Sequence, residues 1–263
     1  MIHDQHIHSY YSFDSKQPIE EYLDTASRLG LEYFVLTDHY DLNHINSGKD
    51  LSFDISEQRK ELKKLQKEYP NIKILFGIEM GYKPSELEHI NKVLNENKFD
   101  IINFSLHELD DIDYYFPDRF IKDGVDKTLQ TYFDKQLEMV RSFDNFDVLC
   151  HIDYAFKTAY QIDSTLKIKK YENTIIEIMK ELIKKDKAFE INTKVQEVLP
   201  IEHTKYLLHL YKQVGGENLT LSSDAHEVAR FRKDFDKYIS IIKETGFDHL
   251  TYFVNRKKYQ YDI

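Results

Sequence analysis

Six of the 12 histidines stand where a short apolar run ends, and acidic residues accompany them. They occur as His6-Ile7-His8, Asp38-His39, His107, His151 and Asp224-Ala225-His226, with Glu79 following a further apolar run. Neutral imidazole mixed with carboxylate suits borderline divalent ions such as Zn, Mn or Fe, whereas Mg or Ca sites are dominated by oxygen. Strand side chains alternate, so His6 and His8 project from one face within reach of one cation, as do Asp224 and His226. So many donors exceed the needs of a single ion. Two ions about 3.5–4 Å apart, bridged by a carboxylate and a hydroxide, are an arrangement used for in-line attack on phosphorus. Taken singly each residue has a plainer reading: a strand-end histidine bonded within a loop, Asp38 as a helix N-cap, Glu79 as a cap of the next element. Their joint occurrence favours the metal site. His3, His44, His89, His203, His209 and His249 fall in expected helices, loops or the first half of a strand and read as structural.

Converging these residues requires a particular frame. Strands are expected at Ile2 to Ile7, Tyr33 to Leu36, Ile72 to Phe76, Ile101 to Phe104, Val148 to Cys150, Phe189 to Ile191 and Leu219 to Leu221. Amphipathic helical patterns lie between them at Pro18 to Leu29, Ser56 to Glu68, Ser85 to Asn95, Lys122 to Phe143, Lys167 to Lys187 and His203 to Gln213. Pro18 suits a first helical turn, and Gly30 and Gly215-Gly216 supply stops. Alternating strands and helices imply a parallel sheet. No Gly-rich nucleotide fingerprint follows the first strand, so an α/β barrel is expected over a doubly wound sheet. All strand C-termini of a parallel barrel open on one face, where residues 6 to 226 meet. No linker or repeat interrupts the pattern, so residues 1–263 are expected to form a single domain.

Composition narrows the function classes. With 41% hydrophobic and 31% charged residues, 8 Gly and 5 Pro, the chain is of an ordered globular kind. A net charge of -10 argues against nonspecific nucleic-acid or acidic-membrane partners, which need a basic surface. No apolar run approaches the roughly 18 residues of a membrane span, and Met-Ile-His-Asp opens without a basic and apolar leader. The single cysteine, Cys150, excludes an internal disulfide framework. A cytoplasmic enzyme is the expectation. Oligomeric state is left open.

The same residues resemble the PHP phosphoesterase superfamily and, within it, the monofunctional histidinol-phosphate phosphatases. Asp4-x-His6-x-His8-Ser9-x-x-Ser12-x-Asp14 is similar to the first motif and Leu36-Thr37-Asp38-His39 to the second. Gly77-Ile78-Glu79, Ser105-Leu106-His107, Cys150-His151-Ile152-Asp153 and Ser222-Ser223-Asp224-Ala225-His226 follow in family order, and Leu250-Thr251-Tyr252-Phe253-x-Asn255-Arg256 resembles the closing segment. The resemblance implies a distorted (β/α)7 barrel of PHP type with a trinuclear centre. It places His6, His8, Glu79 and Asp224 on one ion, with Glu79 bridging to a second held by His107 and His151. Asp14, His39 and His226 would hold a third, and they count with Asp153 as the catalytic group. Asp14 enters through the resemblance alone.

The implied activity is hydrolysis of L-histidinol phosphate to L-histidinol and phosphate, a step of histidine biosynthesis, through a hydroxide bridging two ions. Departures fall where phosphate is gripped. The family tends to carry arginine shortly after the fifth-strand His-x-Asp, where Lys157 is the nearest cation here; Glu190-Ile191-Asn192-Thr193 matches, but Lys194-Val195-Gln196-Glu197 does not. Lysine lacks the planar fork of arginine. Lys157 and Lys194, with Arg119 behind them, are the candidate substrate-binding cations. Asp153, and Asp38 as well, is expected to orient a ligand imidazole. Alternatives are another small phosphoester or nucleotide as substrate, a metal-dependent amidohydrolase, and a nonenzymatic metal-binding module.

Overall fold

A computed structural model describes residues 3–263, so Ile2, within the first expected strand, lies outside the described residues. The strands are β1 (Tyr33–Leu36), β2 (His39–Tyr40), β3 (Lys73–Gly81), β4 (Ile101–Ser105), β5 (Glu108–Leu109), β6 (Ile112–Asp113), β7 (Val148–Leu149), β8 (Ala188–Asn192), β9 (Leu219–Ser222), β10 (His249–Val254) and β11 (Lys257–Asp262). The helices are α1 (Ile19–Arg28), α2 (Ile55–Glu68), α3 (Leu87–Glu96), α4 (Asp118–Asp123), α5 (Val125–Ser142), α6 (Tyr154–Ile162), α7 (Glu172–Lys184), α8 (Thr193–Gln196), α9 (Ile201–Gln213) and α10 (Phe235–Glu244). The described helices include none long and apolar enough to cross a membrane.

Six strands run parallel in the order β1-β3-β4-β7-β8-β9, and β2 continues beside the far end of β3. The N-terminal segment closes the curl between the two edges. Ile7 bridges Ala225 just past β9, His8 N–H donates to Ala225 O at 2.8 Å, and Thr37 N–H beyond β1 donates to Ile7 O at 2.8 Å. The fold is therefore the distorted seven-membered α/β barrel of the sequence analysis. The expected first strand is reduced to that single bridge. Its backbone is taken by side chains instead: Thr37 Oγ1 accepts from Ile7 N–H, and the Gln5 side chain exchanges two hydrogen bonds with the backbone of Phe253.

β3 outruns the expected Ile72 to Phe76, so Glu79 lies within a strand and not after one. Gly77 permits this, since a Cβ there would approach Thr37 Cγ2 to 2.6 Å and Leu36 O to 2.7 Å. The glycine marks a close strand approach rather than a strand end. The expected helix from Lys122 to Phe143 is two helices broken at Gly124, whose φ of 91° no helix can continue. The pattern from Lys167 to Lys187 begins as a 3₁₀ turn, Ile168–Tyr171, ahead of α7, and Pro18 is the N-cap of α1 rather than a first-turn residue.

α6, α8, α10, β2 and the two hairpins lie outside the elements expected from sequence. The hairpin β10–β11 lies at the strand N-termini, at the end opposite the histidine cluster around Glu79. Asn255 N–H donates to Asp100 Oδ1 and Arg256 Nε approaches Asp147 Oδ2 at 2.5 Å, both carboxylates just ahead of strands. The closing motif thus belts the far end of the barrel.

Candidate metal centre

Glu79 is wholly buried and reaches the strand C-terminal end from β3. Five imidazoles surround its carboxylate. His6 Nε2 lies 3.2 Å, His8 Nε2 3.4 Å and His39 Nδ1 2.9 Å from Oε2, while His107 Nε2 lies 3.2 Å and His151 Nε2 3.0 Å from Oε1. Ser105 hydroxyl, from β4, donates to Oε1. Asp224 Oδ1 adds to one side, 3.3 Å from His8 Nε2 and 3.9 Å from His6 Nε2. Asp14 Oδ2 adds to another, 3.0 Å from His226 Nε2 and 3.7 Å from His39 Nε2. The rings of His39 and His226 both pack against the His8 ring, at 4.2 and 4.1 Å, and lie 5.6 Å from each other. All nine residues named as ligands from sequence and resemblance therefore share one place.

Local backbone explains how they arrive. Asp38 does not orient an imidazole directly. Its carboxylate accepts from Ser9 N–H at 2.6 Å, Ser12 Oγ at 2.8 Å and Gln58 Nε2 at 2.6 Å, which fixes the loop carrying Asp14. Ser12 Oγ also takes His39 N–H at 3.0 Å and lies 3.1 Å from His8 Nδ1. At the other edge Asp4 accepts from Ser223 N–H and Oγ, tying the first segment to the turn that holds Asp224. His151 and Asp224 adopt φ of 24° and 48°, left-handed values that non-glycine residues seldom hold.

The atoms facing inward are those a cation would use. His6 Nε2, His8 Nε2, His39 Nδ1, Glu79 Oε2 and His226 Nε2 are buried without a hydrogen-bond partner. A neutral ring whose other nitrogen donates outward presents a lone pair here, and a lone pair opposing Glu79 needs a positive centre between them. Divalent ions fit this donor set. Burial and the neighbouring His226 and His39 rings push His8 well below the usual imidazole value, keeping it in the neutral, ligating form. Burial works against the charge of Glu79, yet His6, His39 and His107 hold it well below the ordinary carboxylate range. Asp14 behaves alike: burial opposes its charge, but the neighbouring His226 and His39 keep it low.

Two carboxylates missed at this centre buttress the rings. Glu190 of β8 lies 2.7 Å from His6 Nδ1 and accepts from His151 N–H at 2.7 Å and from Ser222 hydroxyl. Asp41 Oδ1 lies 3.1 Å from His107 Nδ1. Asp153 does not take the orienting role expected of it; it is 2.8 Å from His203 Nε2 and accepts from Gln196 Nε2 at 2.6 Å, so it joins α6 to α8 and α9. His203 is correspondingly its partner and structural. Arg119 is bound by Asp111 and Asp123 on its own segment and carries no contact to the histidine cluster. Lys194 Nζ lies 3.3 Å from Asp224 Oδ1 and 3.0 Å from His226 Nδ1, at the rim of the cluster. Lys157 Nζ sits 4.6 Å above the Tyr154 ring; burial and then the charge of Lys194 lower it to about 8.

Replacing Glu190 by Gln keeps the shape but removes the charge behind His6. Divalent metal is then expected to bind about 10–100-fold more weakly. Competition with a fluorescent chelator measures this, and unchanged affinity would show that Glu190 does not support the centre.

The sequence model of the family described as "PHP domain" matches residues 4–194. A histidinol-phosphatase of Lactococcus lactis is 31% identical over 257 residues, 97% of this chain and 95% of that protein. The "probable histidinol-phosphatase" of Clostridium acetobutylicum is 31% identical over 228 residues, 86% of this chain and 87% of its own length. The crystal structure of histidinol phosphate phosphatase from Lactococcus lactis, complexed with Zn, L-histidinol and phosphate, superposes with a TM-score of 0.88 at 29% identity, covering 97% of this chain and 98% of that one. With strand-end histidines in family order and Glu79 at their centre, the chain belongs to the PHP domain family, on its histidinol-phosphatase branch.

Proposed function

We propose that this chain is a phosphoric monoester hydrolase that converts L-histidinol phosphate to L-histidinol and phosphate, a step of histidine biosynthesis, with divalent metal ions as cofactor. The observation that carries the reading is the buried Glu79 carboxylate with five imidazoles within 3.4 Å. The Lactococcus lactis structure, which contains Zn, L-histidinol and phosphate, supports the substrate. In this reading His6, His8, Glu79 and Asp224 hold one ion, Glu79, His107 and His151 a second, and Asp14, His39 and His226 a third, with Zn, Mn or Fe as the metals. Residues 1–263 serve the reaction as one domain. A reducing compartment, the cytoplasm, accords with the lone buried thiol of Cys150.

Bound divalent ions supply Lewis acidity toward the phosphoryl oxygens and lower the pKa of water toward neutrality. The chain's own residues hold and surround that chemistry. Glu190 accepts from the outward nitrogen of His6 and so aims the inward one. Lys194, and Lys157 behind it, bring positive charge to the Asp224 side, where a phosphate dianion would otherwise meet carboxylates. Lys157 is half-buried against Tyr154 and loses less hydration on meeting phosphate than an exposed lysine would.

Protein reconstituted with Zn or Mn is expected to retain two or three ions by elemental analysis and to release phosphate from histidinol phosphate far faster than from nucleoside monophosphates. One retained ion with no release would sink the reading. Lys157→Met keeps the packing on Tyr154 but loses the charge. Its KM for histidinol phosphate should rise about 10–100-fold, as for a lost charged hydrogen bond, with metal content unchanged; steady-state kinetics with an unaltered KM would remove Lys157 from phosphate binding.

A further inference from the structure

Asp41 and Gly81 form a pair that the ligand set leaves unexplained. Asp41 follows β2 and exchanges both backbone hydrogen bonds with Leu51, at 3.1 and 2.8 Å, so its Cα is pinned. Its carboxylate is buried; Oδ1 lies 3.1 Å from His107 Nδ1, while Oδ2 stands 3.5 Å from His39 Nδ1 with no hydrogen bond of its own. Gly81 lies two residues beyond Glu79 on β3, so both face the same side of the strand. A Cβ at Gly81 would fall 2.0 Å from Asp41 Oδ1. Gly81 is not among the residues with positive φ, so the backbone does not require glycine there. Space for the carboxylate does.

We propose that Asp41 is a positioning residue for the metal centre: it accepts from His107 Nδ1–H, fixes the ring so that Nε2 aims at the Glu79 side, and depends on Gly81 for its place. The inference rests on the metal-dependent reading above. A neutral imidazole has one donor nitrogen and one acceptor nitrogen, and the partner of the first decides which is left to ligate. Asp41 reaches both His107 and His39, the two rings on the open side of Glu79, so its loss loosens that side alone.

The test uses the whole chain titrated with Co(II), followed by visible absorption and by metal content after desalting. Asp41→Ala should bind the last ion about 10–100-fold more weakly and change the cobalt spectrum. Asp41→Asn, which keeps a neutral acceptor, should fall between it and the native protein, and Gly81→Ala should reproduce the alanine effect by displacing the carboxylate. A merely structural role would lower thermal stability and leave the spectrum of the loaded protein as it was, and that result overturns the proposal. Should the native protein bind no cobalt, the metal reading itself fails, an outcome distinct from native binding with an indifferent Asp41→Asn.

A separate observation concerns the barrel interior. A cavity of about 10 Å³ is lined by His3, Gln5, Asn103, Glu190, Thr220 and Thr251, among others. His3 Nδ1, Asn103 Oδ1 and Thr251 Oγ1 are buried and without a hydrogen-bond partner. Space for one water needs roughly 10–15 Å³ and two to four polar partners. We infer that a single water occupies this cavity, donating to Asn103 Oδ1 and bonded to Thr251 and His3, so that it links β4, β10 and the segment leading to His6. An atomic-resolution crystal structure should show one ordered water within hydrogen-bond distance of Asn103 Oδ1 and Thr251 Oγ1. An empty cavity there, or side chains collapsed into it, overturns the inference.

Discussion

Everything at the open end of this barrel is arranged around a charge that water cannot reach. Burying a carboxylate is costly unless it is paired and hydrogen-bonded, and Glu79 has Ser105 and a ring of imidazole nitrogens to answer it. Those nitrogens have their own second partners, Glu190 behind His6 and Asp41 behind His107. Those two rings are therefore held between an outer carboxylate and an inner one. Such a sandwich is satisfied by a proton on the ring or by a metal ion at its inner face, and the number of rings makes ions the economical solution. Metal binding and the order of this end of the fold are accordingly one equilibrium.

The frame delivers these groups with little help from regular secondary structure. β7 has two residues and the first segment has only the Ile7 bridge, yet both carry ligands at their ends. Side-chain buckles take the place of ladder bonds. Asp38 gathers Ser9, Ser12 and Gln58, while Asp4 gathers Ser223; burial pushes the Asp4 carboxyl up to about 6, the electrostatic cost of placing such a buckle in the interior. The serines in Ser9-x-x-Ser12 and Ser222-Ser223 thus serve geometry: they aim the loop and the turn on which Asp14 and Asp224 ride. Left-handed backbone at His151 and Asp224 belongs to the same compromise, because the chain must turn sharply where a strand end becomes a ligand.

The residues that follow apolar runs were legible from sequence, because parallel strands end on a common face and leave few other destinations for six histidines. Glu190 was hidden for the opposite reason. It lies inside the run Ala188 to Ile191, where a carboxylate reads as a strand interruption, and only the barrel's inward face reveals that it points at His6. Asp41 was hidden because it follows a ligand by two residues in what reads as a loop. Asp153 misled through its proximity in sequence to His151: the chain turns into α6 between them, and its side chain leaves toward His203. Glycines gave mixed signals. Gly124 ends a helix by its φ, whereas Gly77 lets a strand continue through a crowded place, and sequence does not distinguish the two.

A chain with net charge of -10 and a site lined by carboxylates would repel phosphate on simple bookkeeping. Local arrangement reverses the sign. Glu79, Asp224 and Asp14 are each consumed by imidazole or lysine contacts, and divalent ions held by these residues would add positive charge where the low dielectric enlarges it. Lys194 and, beside it, Lys157 then stand at the rim of the cluster. A lysine gives a compact charge without a fork, so it can follow a phosphate whose oxygens change geometry but cannot fix their orientation. On the proposed reading orientation therefore falls to the rings that Asp41 and Glu190 hold, and that division of labour would tie catalytic competence to the buttressing carboxylates more than to any cation at the rim.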